Sequence, residues 1–268
     1  MADTPSTAPV VLAVGGSDPS GAAGIQADIK TITNLGGYAA TAITGITVQN
    51  SQGFYQSEAL NPKMVVDQME AVFNDLPVVA VKLGYLFNAD IIDDIGQLLL
   101  ERATDIPIIL DPVSVGKKTD RVLDIGAMRA MKVHLFPQIT LITPNIKEVE
   151  YICGMEIDSE DDLEMGAQMV LSMSPAAALV KGASLGSTPA MDILASEEDI
   201  TLFEKQLVET ENTSGAGCAL ASAIATYLAF GDDLEEAIRK AENYVERAIK
   251  TGPNLGSGCG PINHLVTP

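Results

Sequence analysis

The chain has 268 residues, 47% of them hydrophobic, which is enough for one large core or two modest ones. Its 16 basic and 36 acidic residues give a formal net charge of -20. That balance argues against nucleic-acid partners and anionic membrane surfaces, and no uninterrupted apolar run reaches membrane-spanning length.

An anionic ligand must then be held by local positive features: backbone amides, a few placed lysines or a metal ion. Cys153, Cys218 and Cys259 lie far apart and form no CxxC pair, which fits a reducing cytoplasm. Residues 1–9 are small, polar and proline-bearing, without the basic and apolar regions of a signal peptide. They read as a disordered tail, with 10–268 as a single domain.

The first expected strand, 10–14, runs into a small-residue loop, Gly15 to Gly24, and then a helix over 25–35. Small residues let the backbone approach a ligand closely, but the spacing is not GxGxxG, so a dinucleotide fold is not supported. A strand over 39–48 is followed by Gln49, whose amide offers both donor and acceptor to the edge of a heteroaromatic ring. A helix over 62–73 precedes a strand over 78–83. Lys82 lies in that strand, and it reads as snorkelling or paired with an acid.

After a helix over 89–102, a strand over 106–110 ends at Asp111-Pro112-Val113. Gly116-Lys117-Lys118-Thr119 fails as a P-loop, because Asp111 occupies the first glycine position and Lys118 stands where Ser or Thr is required. A strand over 139–142 ends at Thr143-Pro144-Asn145, and a helix over 146–153 carries Glu148. Asp111 and Glu148 can meet at one sheet edge and hold Mg2+ directly or through its water shell. Taken singly, each also reads as a helix cap or a solvated carboxylate. A helix over 161–173 leads to a strand over 176–180 that ends at Lys181-Gly182. A lysine there needs an anion or water, and nucleotide phosphates would serve. Residues 194–208 suggest an antiparallel pair.

Asn212-Thr213-Ser214-Gly215-Ala216-Gly217-Cys218 opens an apolar helical run, 219–230, closed by Gly231. Backbone amides converging at such a helix start suit an anion. A cysteine in the first turn is expected to have a pKa below about 8.5. The final helix, 232–251, repeats Leu234, Ile238, Ala241, Val245, Ala248 and Ile249 on one face, with Asp232 or Asp233 as its cap. Most strands lack polar alternation, as in a sheet covered on both faces. The class is therefore α/β with a largely parallel sheet and ligands beyond the strands' C-terminal ends. With His134 and His264 as the only histidines, a serine hydrolase triad lacks support.

Asp18-Pro19-Ser20-Gly21-Ala22-Ala23-Gly24-Ile25-Gln26-Ala27-Asp28 is the most specific of an ordered series of motifs. The others are Gln49-Asn50, Lys82-Leu83-Gly84, Asp111-Pro112-Val113, Thr143-Pro144-Asn145-x-x-Glu148, Lys181-Gly182, Ser214 to Cys218, and Gly260-Pro261-Ile262-Asn263-His264. Together they resemble the hydroxymethylpyrimidine/phosphomethylpyrimidine kinases of the ribokinase superfamily. The resemblance implies a ribokinase-like three-layer αβα fold and a homodimer. It implies ATP-dependent phosphorylation of 4-amino-5-hydroxymethyl-2-methylpyrimidine and then of its monophosphate, in thiamine biosynthesis. On the same ground, Cys218 is the base, and Gly215, Ala216 and Gly217 form the anion hole. Lys181, Asn145 and Thr213 face ATP, and Asp111 and Glu148 organise Mg2+. Gly16, Ala23, Gln49, Tyr85 and Val113 surround the pyrimidine.

The sequence departs from the family pattern at Ala22, at Ala183-Ser184, at Ser214 and at Tyr85, where methionine is common. Tyr85 alters pocket size and adds a hydroxyl, which bears on substrate preference and on the second phosphorylation. A pyridoxal, pyridoxine or pyridoxamine kinase is the main alternative, followed by a sugar or nucleoside kinase. A non-catalytic binding protein is the non-enzyme alternative; Asp111, Glu148, Lys181 and Cys218 argue against it.

Overall fold

A computed structural model describes residues 8–114, 123–186 and 189–267. The rejected P-loop stretch, 116–119, and most of the expected tail lie outside the described residues. Nine strands form one sheet: β1 (Val10–Ser17), β2 (Tyr38–Asn50), β3 (Gly53–Ala59), β4 (Val78–Leu83), β5 (Ile108–Leu110), β6 (Leu141–Ile142), β7 (Ala177–Lys181), β8 (Ala190–Ser196) and β9 (Ile200–Lys205). Their order is β3-β2-β1-β4-β5-β6-β7-β8-β9. The ladders from β2 through β1, β4, β5 and β6 to β7 are parallel, and β3, β8 and β9 add antiparallel edges.

Among the described residues the α-helices are α1 (Gly24–Asn34), α2 (Pro62–Asp75), α3 (Ala89–Arg102), α4 (Ile125–Ala130), α5 (Ile146–Cys153), α6 (Glu160–Leu171), α7 (Ala216–Ala229) and α8 (Leu234–Lys250). Strand β1 shows why its sequence does not alternate. Val10, Leu12 and Val14 enter one core with residues of α2, α3, α4, α5 and α6. Val11 and Ala13 enter a second core with α1, α7 and α8. Both faces are buried, so both parities are apolar, and three layers result. This is the expected αβα arrangement.

Local chemistry fixes the helix starts. Asn61 and Asn88 cap α2 and α3 through the amides of Lys63 and Ile91. Of the two candidates at α8, Asp233 is the cap, accepting from Glu236 N–H at 2.9 Å, while Asp232 pairs with Lys240. Two elements differ from expectation. β3 was not expected, because its residues are half-buried or exposed and its pattern is polar. Residues 125–138 form α4, one π-helical turn and a 3-10 turn, where no helix was expected.

The chain leaves β1 for β2 and β3 on one side and returns to β4 on the other. The C-terminal ends of β1 and β4 therefore flank a topological switch point, the usual crevice for a ligand in an open α/β sheet.

Candidate active site

The loop after β1 is shaped by Asp18, which is buried. Its Oδ1 accepts from Ser20 N–H and its Oδ2 from Ala23 N–H, each at 2.8 Å. Its own N–H donates to Gln26 Oε1 at 2.8 Å. Gly215, just before α7, has φ +87°, and a Cβ there would run into the Ala22 carbonyl oxygen. Glycine permits both the left-handed backbone and the contact. Through it the first loop and the start of α7 meet. Ser214 N–H donates to Gly260 O at 3.0 Å and Ile262 N–H to Ser214 O at 3.2 Å, which brings in the C-terminal segment.

These segments enclose a cavity of about 630 Å³. Gly16, Ala23, Gln49, Tyr85, Val113 and Cys218 all line it. Gln49 sits inside β2 opposite Phe54, at an irregularity in the ladder, rather than after the strand as expected. The Tyr85 ring stacks on Phe87, with centroids 4.0 Å apart and planes 27° apart. Phe87 has φ +67°, an uncommon conformation for a bulky side chain. A Cβ on Gly16 would lie 3.2 Å from the Phe87 ring, so that ring backs both Gly16 and Tyr85. The sequence offered no signal for Phe87 beyond its place shortly after a strand.

The second half of the site lies at the N-terminus of α7. A Cβ placed on Gly217 would be 3.5 Å from Lys181 Nζ and 3.9 Å from Asp111 Oδ2. Lys181 Nζ donates to Asp111 Oδ1 at 3.4 Å. Lys181 ends β7 and bridges in parallel to Asn145, and its N–H donates to Pro144 O at 2.9 Å. Asn145 and Glu148 form a capping box: Asn145 Oδ1 accepts from Glu148 N–H at 3.0 Å, and Glu148 Oε2 from Asn145 N–H at 2.8 Å. Glu148 is thus both a cap and a buried neighbour of Lys181 and Asp111. Lys181, Asp111, Asn145 and Glu148 form one group beside the Gly215-Ala216-Gly217 amides. Thr213 is exposed; its carbonyl accepts from Ala216 N–H at 3.2 Å and its hydroxyl lies 3.6 Å from Cys259 Sγ.

Cys218 adjoins both halves: it lines the cavity, and it follows Gly217 in the first turn of α7. Its thiol is pushed up to about 12, not down as expected. Burial is the largest cause, and Asp111 and Asp28 add to it, while Lys82 and the Gly24 N–H oppose it. Helix-start position alone does not decide the sign when the sulfur is also desolvated beside two acids. Burial likewise pushes Glu148 up to about 8, helped by Asp111 and opposed by Lys181 and the amides of Asn145 and Ser114. For Lys181, burial disfavours the charge, but Asp111 and Glu148 outweigh it and hold the ammonium above the ordinary lysine value. Lys82 pairs with an acid, as the sequence suggested: its Nζ lies 2.9 Å from Asp28 Oδ1.

Two buried carboxyl groups lie beside one lysine, and Glu148, pushed up to about 8, keeps its proton near neutrality unless a cation takes its place. An oxygen-seeking, hydrated Mg2+ fits such a pair, with the remaining ligands from water and phosphate. Among the described residues no group of three or more Asp, Glu, His or Cys side chains gathers as a self-sufficient metal cage.

The described residues contain no helix long and apolar enough to cross a membrane. A family model for phosphomethylpyrimidine kinase matches residues 18–263. A hydroxymethylpyrimidine/phosphomethylpyrimidine kinase of Streptomyces coelicolor is 39% identical over 97% of this chain and 96% of its own length. The thiamine biosynthesis bifunctional protein ThiED of Geobacter sulfurreducens is 41% identical over 96% of this chain, which spans about half (52%) of that protein. A crystal structure of phosphomethylpyrimidine kinase from Clostridium difficile 630 is 36% identical, with a TM-score of 0.80 over 90% of this chain and 100% of that one. The pyridoxal kinase of Staphylococcus aureus in complex with ADP is 29% identical, with a TM-score of 0.89 over 97% of this chain and 94% of that one. The cavity at the switch point, the amide-lined helix start and the near-full-length match agree: this chain is a kinase and belongs to the phosphomethylpyrimidine kinase family.

Proposed function

We propose that the chain uses ATP with Mg2+ to phosphorylate 4-amino-5-hydroxymethyl-2-methylpyrimidine and then its monophosphate, in the cytoplasm, for thiamine biosynthesis. One observation carries the reading. Cys218 lines the cavity beside Gln49, Tyr85 and Val113, while the preceding residue faces Lys181 and Asp111. A ring in the cavity thus brings its hydroxymethyl arm to the sulfur, and the sulfur adjoins the place for a terminal phosphate.

In the transfer step the Cys218 sulfur takes the substrate hydroxyl proton, acting from the minor thiolate population that a thiol pushed up to about 12 retains. The substrate oxygen bonds to the γ-phosphorus, the bond to the β–γ bridging oxygen breaks, and ADP leaves with that electron pair. The Gly215, Ala216 and Gly217 amides and Lys181 stabilise the charge spread over the phosphoryl oxygens. Asn145 and Thr213 help to hold the nucleotide. Asp111 and Glu148 would hold Mg2+, which supplies charge neutralisation of the phosphates and relieves the repulsion between the two acids. Gly16, Ala23, Gln49, Tyr85 and Val113 orient the ring.

We further assign residues 10–268 to a single kinase unit that works as a homodimer without nucleic acid or membrane. The β2–β3 hairpin supports the dimer, since Ile46, Val48, Phe54 and Tyr55 are exposed there. The similarity to a pyridoxal kinase favours pyridoxal as the second candidate substrate. Purified protein with Mg-ATP is offered hydroxymethylpyrimidine, its monophosphate, pyridoxal, pyridoxine and ribose while ADP release is followed. Fastest turnover on the two pyrimidines is expected. Preference for pyridoxal overturns the substrate, and binding without ADP release overturns the activity.

A further inference from the structure

Lys82 lies in β4 and is 1% exposed, although its side chain ends in a charge. Its ammonium donates to both oxygens of Asp28 on α1, at 2.9 and 3.0 Å. Asp28 Oδ1 also accepts from the Ser222 hydroxyl on α7 at 2.8 Å. Three elements therefore meet at one carboxylate. A buried ion pair is weak evidence for stability, because an apolar pair of similar volume often serves folding as well or better. Its placement suggests another reason. Lys82 and Asp28 both line the cavity that Cys218 lines, and Ser222 follows Cys218 by four positions on the same helix. The groups that act on the Cys218 sulfur are the Lys82 ammonium and the Asp111 and Asp28 carboxylates, through charge, and the Gly24 N–H, through a hydrogen bond. Lys82 is the one full positive charge in that set.

We infer that the Lys82–Asp28 pair is a positioning device for the base: Lys82 supplies a fixed positive charge that favours the Cys218 thiolate, and Asp28 with Ser222 ties that charge to the helix carrying the sulfur. The inference rests on Cys218 acting as the base. Lys82 stays protonated throughout, because Asp28, Cys218 and Asp111 together outweigh the burial that would otherwise neutralise it. It therefore acts through the sulfur and takes no proton from the substrate. Asp28 has two effects: it keeps Lys82 charged, and it contributes repulsion that limits how far the thiol falls. The pair sets the thiolate population without adding a reacting group.

The test is alkylation of the full chain by iodoacetamide at about pH 9, with peptide mass mapping to separate Cys218 from Cys153 and Cys259; the rate follows the thiolate fraction. Lys82→Met is expected to slow Cys218 alkylation by about tenfold, one pKa unit, and Lys82→Arg to stay within about threefold of the parent. The Lys82→Met change is also expected to lower kcat while leaving the KM for ATP near its parent value. Because Lys82→Met alone strands a buried carboxylate, the Asp28→Asn/Lys82→Met double variant removes both charges together; it is expected to fold and still to slow Cys218 alkylation, by less than Lys82→Met because the Asp28 repulsion is lost as well. A folded Lys82→Met or double variant that alkylates at the parent rate overturns the inference. Failure of the base assignment would look different: Cys218→Ala would turn over normally while Lys82→Met still slowed alkylation.

Discussion

The contact between Gly215 and the Ala22 carbonyl makes Gly215→Ala the most informative single substitution. The backbone there has φ +87°, and an alanine Cβ would be driven into the Ala22 oxygen. Left-handed backbone costs an L-residue about 1–2 kcal/mol, which corresponds to a melting temperature lowered by about 2–8 °C in a chain of this size. Relief of the clash must move either the first loop or the amides of Ala216 and Gly217. A misplacement near 1 Å at a reacting centre can cost about 10²-fold in rate, so turnover is expected to fall by that order.

Gly231→Ala is the matched control. Gly231 has φ +95° with nothing close to an added Cβ, and it closes the far end of α7. It should show the melting loss without the loss of turnover. Differential scanning fluorimetry and ADP-release kinetics on both variants separate backbone strain from disruption of the junction. A Gly215→Ala enzyme that melts within about 1 °C of the parent and retains half its turnover would refute the reasoning.

Cys218→Ala is expected to lower kcat by about 10²–10⁴-fold, the usual range for a lost general base, with ATP binding largely kept; near-normal turnover in the purified variant rejects the base assignment. Lys181→Met is expected to cost on the order of 10²-fold in kcat and to raise the KM for ATP, read from initial rates at varied ATP. The fourth prediction concerns Glu242 on α8. It is pushed up to about 8, chiefly by burial and then by Asp192, with Lys205 opposing. A carboxyl with a raised pKa keeps its proton in the folded state after the unfolded chain has lost it. Unfolding free energy should therefore decline as pH rises from about 4.5 to about 8. Urea titrations at the two ends of that window should show a smaller decline for Glu242→Gln, and an equal decline contradicts the assignment.

Much of this architecture was legible because burial writes itself into composition. Val10 to Val14 read as a strand with two buried faces, and the helix at 232–251 carried both a cap and a periodic face. β3 was missed for the opposite reason: Phe54 and Tyr55 are exposed, so no buried stripe marks the strand. The 125–138 segment was missed because its turn type changes twice before Pro137 and blurs a single period. Within the site, the motif residues were found individually, but their partners were not. Nothing local says that the acid paired with Lys82 is Asp28, or that Gly215 presses on Ala22, since both contacts are made between distant segments. The sign of the Cys218 shift was misread for the same reason. Its helix-start position is local, whereas the burial and the acids that outweigh it come from distant segments, with Asp28 on α1 and Asp111 after β5.

A crystal structure with a non-hydrolysable ATP analogue and hydroxymethylpyrimidine tests the central claim most directly. The account expects the γ-phosphate between the Gly215–Gly217 amides and Lys181, with the pyrimidine hydroxyl directed at Cys218 Sγ. A nucleotide whose terminal phosphate lies away from both Lys181 and the start of α7, or a ring bound outside the cavity lined by Gln49 and Tyr85, would contradict it.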